Sequence, residues 1–387
     1  MRYKSLDALR GIAALIVVIH HCLVTLPQWS NVMLQGAHDS LPAKLFGYPP
    51  LDLLWAGNAA VRVFFVLSGF VLALMLLHAN PPSYPAFVVK RIFRIYLPYA
   101  VVVAMAMVLM TVTAPHVTPE LSEWFNTTSW NHPVSSSVIL DHALMFGRPE
   151  YNFIDNPIWS LVHEMRYSLI FPALFWLARR VDWRLMVGVS WVISIAAAGA
   201  VGFTKGSWAV ASLQYAFLFV SGAEMAIRRT ALTEWFGNLP RLCRRLLFLT
   251  SLLLLSTHGL THASIHAVRT FAYLAPDIGA VGLLTWLLGS PSAQRGLEWK
   301  PALWVGRISY SLYLSHLVLL LSVVSVFHRV VPIYIILIAI PPLALVTAQI
   351  LYQLLEVPAI ALGHYLAQRI DGKSAVRVQG PPETVRA

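Results

Sequence analysis

The sequence predicts an all-α integral membrane protein of about ten transmembrane helices, with both termini in the cytoplasm. Three observations carry this expectation. The 387 residues are 58% hydrophobic and only 12% charged, the profile of a polytopic membrane chain rather than of several soluble domains. The apolar residues gather in runs of about 20, the length a helix needs to cross a hydrocarbon core of ~30 Å. The cations fall in turn on one side of those runs.

The first run, 8–27, follows a basic start. It has the outline of a secretory signal, but no small-residue cleavage site follows it and it contains ionisable residues, so it reads as a retained span. The others are 59–78, 95–114, 157–178, 184–203, 208–227, 244–260, 268–289, 302–326 and 331–356. Backbone groups in lipid must bond within their own segment, and the alternation of a barrel is absent, so these are helices. Residues 1–365 form one transmembrane domain. The polar, Pro-containing stretch 366–387 is expected to be a disordered cytoplasmic tail.

Arg2, Lys4 and Arg10 fall on the same face as Lys90, Arg91 and Arg94, as Arg179, Arg180 and Arg184, and as Arg295, Lys300 and Arg307. The opposite face holds only Lys44, Arg62, Arg148, Lys205, Arg269 and Arg329. The net charge of +11 is therefore mostly topological. No basic stripe with interleaved aromatics appears, so nucleic acid is not an expected partner. Cys22 and Cys243 give neither a disulfide framework nor a metal-ligand spacing, and no metal is expected.

Depth makes the remaining polar residues informative, because an ionisable side chain inside a span costs about 2.5–3.5 kcal/mol. Arg10 and His21 are eleven residues apart, close to three turns, on one helix face and ~16 Å apart along the axis. This places a cation at the membrane edge and an imidazole near the midplane. A snorkelling arginine and a packing histidine are the structural alternative. Ser68-Gly69 sits in the second span, where small residues also serve tight packing. Arg91 and Arg94 share a helix face. Paired guanidinium groups suit phosphate, and they also suit the ordinary cytoplasmic excess of cations.

The fourth span carries His163, Glu164 and Arg166. Residues two apart on a helix cannot face each other, so Glu164 or Arg166 needs a partner on another helix, and Glu164 is expected at the depth of His21. In the ninth span Tyr310, Tyr313 and His316 form a polar stripe. Glu224 and Arg228 read as a structural pair. The exterior segment 115–156 sets Glu120, Glu123, Asp141, Glu150 and Asp155 among Trp124, Trp130, His132 and Tyr151. That mixture suits a carbohydrate, and it suits a solvated loop with interfacial tryptophans.

Together these residues predict a polar seam, with arginines at the cytoplasmic mouth and His21, Glu164 and His316 converging deeper. Such a seam fits a long ligand with phosphates at one end and a reactive group at the other, and coenzyme A has that shape. A histidine beside a carboxylate can act as general base on a hydroxyl. Ser68, Tyr310 or Tyr313 can donate to an oxyanion.

The motifs LDALRGIAALIVVIHH, FFVLSGFVL, KRIFRIYLPY, NPIWSLVHEMRY and ISYSLYLSH, in that order, resemble those of membrane-bound acyltransferase family 3, the integral-membrane O-acyltransferases of bacterial surface glycans. The resemblance implies a multi-pass protein of the bacterial inner membrane. It implies transfer of an acyl group, with acetyl as the first candidate, from cytoplasmic acyl-CoA to a hydroxyl of a surface or lipid-linked carbohydrate. By position it makes His21 and Glu164 catalytic, His21 either deprotonating the acceptor or carrying the acyl group. It sets Arg10, Arg91, Arg94, Ser68, Tyr310, Tyr313 and His316 along the donor. Arg166 departs from the pattern, at a place expected to be polar and uncharged. Some relatives carry a fused extracytoplasmic transferase domain; with only the short tail here, transfer is expected in the membrane core or through a separate protein. The alternative class is a transporter of a lipid-linked saccharide, which the absence of inverted repeats disfavours.

Overall fold

The computed structural model describes residues 3–36, 46–113, 116–128, 130, 133–145, 153–201, 208–257 and 266–372. Among them there is no strand. The helices are α1 Lys4–Val24, α2 Pro27–Gln35, α3 Gly57–Leu76, α4 Tyr84–Arg91, α5 Leu97–Thr113, α6 Glu123–Thr128, α7 Ser136–Leu144, α8 Ile158–Ala178 and α9 Trp183–Val201. They continue with α10 Trp208–Leu213, α11 Ala216–Ile227, α12 Arg229–Asn238, α13 Arg241–Leu255, α14 His266–Gly289, α15 Pro291–Leu297, α16 Lys300–Phe327, α17 Ile333–Leu351 and α18 Val357–Ile370. A π-helical turn at Ile92–Tyr96 joins α4 to α5, and another at Tyr352–Glu356 joins α17 to α18.

Each apolar run of the sequence falls on a helix. Seven stretches are long and apolar enough to cross a bilayer: α1, α3, the continuous Tyr84–Thr113, Trp183–Ala200, Thr270–Gly289, α16 and the continuous Ile333–Ile370. The other three expected spans fall short for visible reasons. α8 carries His163, Glu164 and Arg166. α11 has 12 residues, because the chain turns at Gln214-Tyr215. α13 has 15 and opens on Arg241, Arg244 and Arg245.

One expectation is corrected. The chain is helical to Ile370, and Asp371 Oδ1 accepts from Ser83 N at 3.2 Å, so a tail beginning at 366 is too early; residues 373–387 lie outside those described. His21 stands three residues before Val24, where α1 ends, at the end away from Arg10.

The core is organised around α1, which packs between α16 and α3, with α11 on the far side of α3. Glycines set these crossings. A Cβ on Gly11 would lie 2.6 Å from Gly306 N, and one on Gly306 would strike the Asp7 carbonyl. A Cβ on Gly69 would strike the Phe219 carbonyl, and one on Gly222 the Val66 carbonyl. Small residues let membrane helices approach backbone to backbone, where packing replaces the hydrophobic drive. Gly69→Val is therefore expected to destabilise the purified protein by about 1–3 kcal/mol. Gly188→Ala, with nothing within 4 Å of the added atom, is expected to be neutral. Thermal unfolding in detergent compares the two, and equal melting temperatures would contradict the packing assignment.

Candidate active site

The seam has two ends. At the basic end α1 supplies Arg10, α4 the buried Arg91, and the first π turn Arg94. Glu164 of α8 and Glu356 of the second π turn face this cluster. Arg10 lies in the electrostatic field of Arg94, Glu164 and Glu356, and Arg91 in that of Arg94 and Glu164. A π turn inserts one residue and re-aims the side chains around it, which is why such turns gather at functional sites. Here two of them deliver Arg94 and Glu356.

The hydroxyls at this end are committed. Ser68 Oγ donates to Glu164 Oε1 at 2.9 Å. Ser311 Oγ donates to Glu356 Oε2 at 2.7 Å. Tyr310 Oη donates to the Ile95 carbonyl inside the π turn at 2.6 Å. Arg10, Glu164, Ser160 and Tyr310 line a cavity of about 30 Å³, room for little more than one water. Sequence reasoning did not single out Glu356. The usable signal was an acid inside an apolar run, which its place at the very end of 331–356 obscured.

At the other end His21 pairs with His316, not with Glu164. The bonds fix the tautomers. His316 Nδ1 is 3.1 Å from the Leu312 carbonyl, which can only accept, so Nδ1 carries the proton and Nε2 of the neutral ring a lone pair. His21 Nδ1 lies 3.1 Å from the Val17 carbonyl and 2.9 Å from His316 Nε2. It must therefore be protonated and donate to both. With both rings neutral, His21 Nε2 carries the lone pair of a base, and the Asn156 side chain hydrogen-bonds this ring. Both imidazoles are buried. The Trp124 ring, from exterior α6, lies 5.5 Å from that of His21, and His20 stands 5.3 Å away, edge to face. His20 Nδ1 donates to the Trp55 carbonyl at 2.9 Å.

Tyr313 ties these elements together. Its hydroxyl is 2.6 Å from Ser160 Oγ and 3.2 Å from the Pro157 carbonyl, at the start of α8. Its ring centroid is 5.9 Å from that of His316. The expected donor residues thus divide. Arg10, Arg91, Arg94, Ser68 and Tyr310 gather at the basic end with Glu164, His316 stands with His21, and Tyr313 lies between them, lining the cavity of Arg10 and Glu164 while its ring meets that of His316.

Arg166 is accounted for structurally. Its guanidinium donates to Ser212 Oγ at 2.8 Å, and that hydroxyl is also 3.0 Å from His163 Nδ1. Glu120 Oε2, in the segment 115–156, is 3.8 Å from His328 Nε2 at the end of α16, while His132, Arg148, Glu150 and Tyr151 lie outside the described residues.

A family model for an acyltransferase domain matches residues 3–353. The chain is also similar to the O-acetyltransferase PaAT-1 of Phomopsis amygdali, 26% identical over 367 residues, spanning 80% of this chain and 71% of that protein. No solved structure matches it.

Proposed function

The chain belongs to acyltransferase family 3, and from that premise we propose that this acyltransferase moves an acetyl group from acetyl-CoA, bound at the arginine cluster, to a hydroxyl of a carbohydrate acceptor at the opposite end of the seam. The observation that carries this reading is the His21–His316 pair, whose tautomers leave His21 Nε2 as a base. It stands eleven residues of α1 from Arg10, or ~16 Å, a spacing suited to the reach of the coenzyme's arm.

Residue roles follow. Arg10, Arg91 and Arg94 hold the phosphates, and Glu164 and Glu356 hold the guanidinium groups in place. His21 Nε2 takes the proton of the acceptor hydroxyl as its oxygen attacks the thioester carbonyl. The C–S bond then breaks, and the departing thiolate recovers that proton from the imidazolium. A route through acyl-His21 uses the same lone pair. Ser68, Tyr310 and Tyr313 all donate to groups of the protein itself, so the scheme assigns no oxyanion donor among them. The setting we propose is the bacterial inner membrane, with the donor on the cytoplasmic face and the acceptor outside.

Arg94→Ala is expected to raise KM for acetyl-CoA about tenfold or more and leave kcat nearly unchanged, since it removes binding common to ground and transition states. Steady-state kinetics in nanodiscs measures this. A fall in kcat at constant KM would move Arg94 out of donor binding.

A further inference from the structure

The last helix folds back on the helix that brings in the basic cluster. α18, Val357–Ile370, lies beyond residues 3–353 that the family model matches, and beyond the expected tenth span at 331–356. It runs antiparallel to α4. Gly363 meets Phe93, where an added Cβ would lie 2.6 Å from the phenylalanine Cβ. Asp371 Oδ1 accepts from Ser83 N and from Ser83 Oγ, just before α4 begins. His364, one residue after Gly363, therefore stands level with the end of α4, where Lys90 and Arg91 are.

The imidazole of His364 is exposed, and its surroundings are cationic. Partial desolvation, and then the charges of Lys90, Arg94 and Arg91, hold its pKa below the ordinary histidine value, and no carboxylate is among these influences. The deeper part of the cluster differs, because there Glu164 and Glu356 act on Arg10. The other polar groups of the elements packed on α18 are engaged. Tyr96 donates to the Ala143 carbonyl, Glu356 accepts from Ser311, Tyr352 also has a partner, and Arg369 of α18 itself lies over the Tyr365 ring at 4.7 Å. Arg91 is buried, and its Nε has no hydrogen-bond partner among the described residues.

A buried guanidinium N–H without an acceptor is costly, and cations beside an imidazole keep it from taking a proton. A multiply charged anion answers both. It accepts from the guanidinium, and its charge lets the imidazole protonate and donate. A phosphomonoester has that chemistry, with close to two negative charges at neutral pH and three acceptor oxygens. Coenzyme A carries one such group, on its ribose, apart from the pyrophosphate.

We infer that His364, with Lys90 and Arg91, recognises the ribose 3′-phosphate of the coenzyme, and leaves the pyrophosphate to Arg10 and Arg94. This rests on the acetyl-CoA reading above and adds to it a residue and a helix outside the family match.

The test compares acetyl-CoA with 3′-dephospho-acetyl-CoA, by titration calorimetry on the full-length protein in phosphatidylcholine nanodiscs. The wild type is expected to bind acetyl-CoA about tenfold or more tightly than the dephospho form. His364→Ala should cut that preference to about threefold or less, with affinity for the dephospho form unchanged. Leu362→Ala, at an exposed position of the same helix, should keep the wild-type preference. In the wild type the preference should grow from about pH 8.5 to about pH 7, because the bound anion raises the imidazole pKa and binding takes up a proton. Three results overturn the inference: equal binding of the two forms, a preference indifferent to pH, or an equal loss of affinity for both forms in His364→Ala. The cations would then serve the membrane surface, or α18 would act through packing alone. The wild-type pH series decides the matter even where the variant fails to fold. A wild type that binds neither form removes the donor reading itself.

Discussion

His21→Ala lowers the rate of acyl transfer by about 10²–10⁴-fold, the contribution of a positioned general base, while acetyl-CoA binds with unchanged affinity. The two halves of that expectation come from the same helix. Arg10 and its partners stand ~16 Å down α1 and share no hydrogen bond with the imidazole pair, so removing the ring leaves the donor's phosphate contacts intact. His316→Ala should act more mildly. It deletes one acceptor for the His21 Nδ1 proton but leaves the Val17 carbonyl in place, so the tautomer persists and the ring is less firmly held. A kcat loss of about tenfold, larger than any change in KM, is expected for this positioning residue. Equal and complete loss in both variants would instead point to a reaction in which both rings exchange protons. Full activity of His21→Ala would remove it from the chemistry.

Asp277→Ala is expected to destabilise the folded protein by about 3–5 kcal/mol, because it strands the guanidinium of Arg62 in a buried site. The pair joins α3 to α14, with side chains 8% and 4% exposed. The remaining bonds of Arg62 run to two backbone carbonyls, which cannot balance a full charge. The double replacement Arg62→Met with Asp277→Leu should recover much of the loss, since an apolar pair of similar volume avoids the desolvation penalty. Thermal unfolding of the wild type, Arg62→Met, Asp277→Leu and the double variant closes this cycle. A single-variant loss below about 1 kcal/mol would mean that water or lipid headgroups reach the pair.

Much of this was legible in the chain. Hydropathy placed a helix under every apolar run, and the eleven-residue spacing of Arg10 and His21 put them on one helix face. Gly69 and Ser68 show why a motif resists a single reading: the glycine packs against the Phe219 backbone while its neighbour bonds Glu164. What the sequence hid came from irregular backbone. The π turns that deliver Arg94 and Glu356 have no signature in a 3.6-residue pattern. Glu164 looked level with His21 when depth was counted along separate helices, yet its bond to Ser68 places it with the arginines. His21 lies near the end of α1 because that helix stops at Val24, short of the apolar run's end at residue 27.

The most direct test is mass spectrometry of envelope glycans and glycolipids from cells carrying the intact gene, no gene, or the His21→Ala variant at matched expression. An acetyl-sized mass addition present only with the intact gene is the predicted result. The same acetylated product in the His21→Ala cells would contradict the assignment of the base. An unchanged covalent mass, with a changed amount of glycan outside, would contradict acyl transfer to envelope carbohydrate and favour transport.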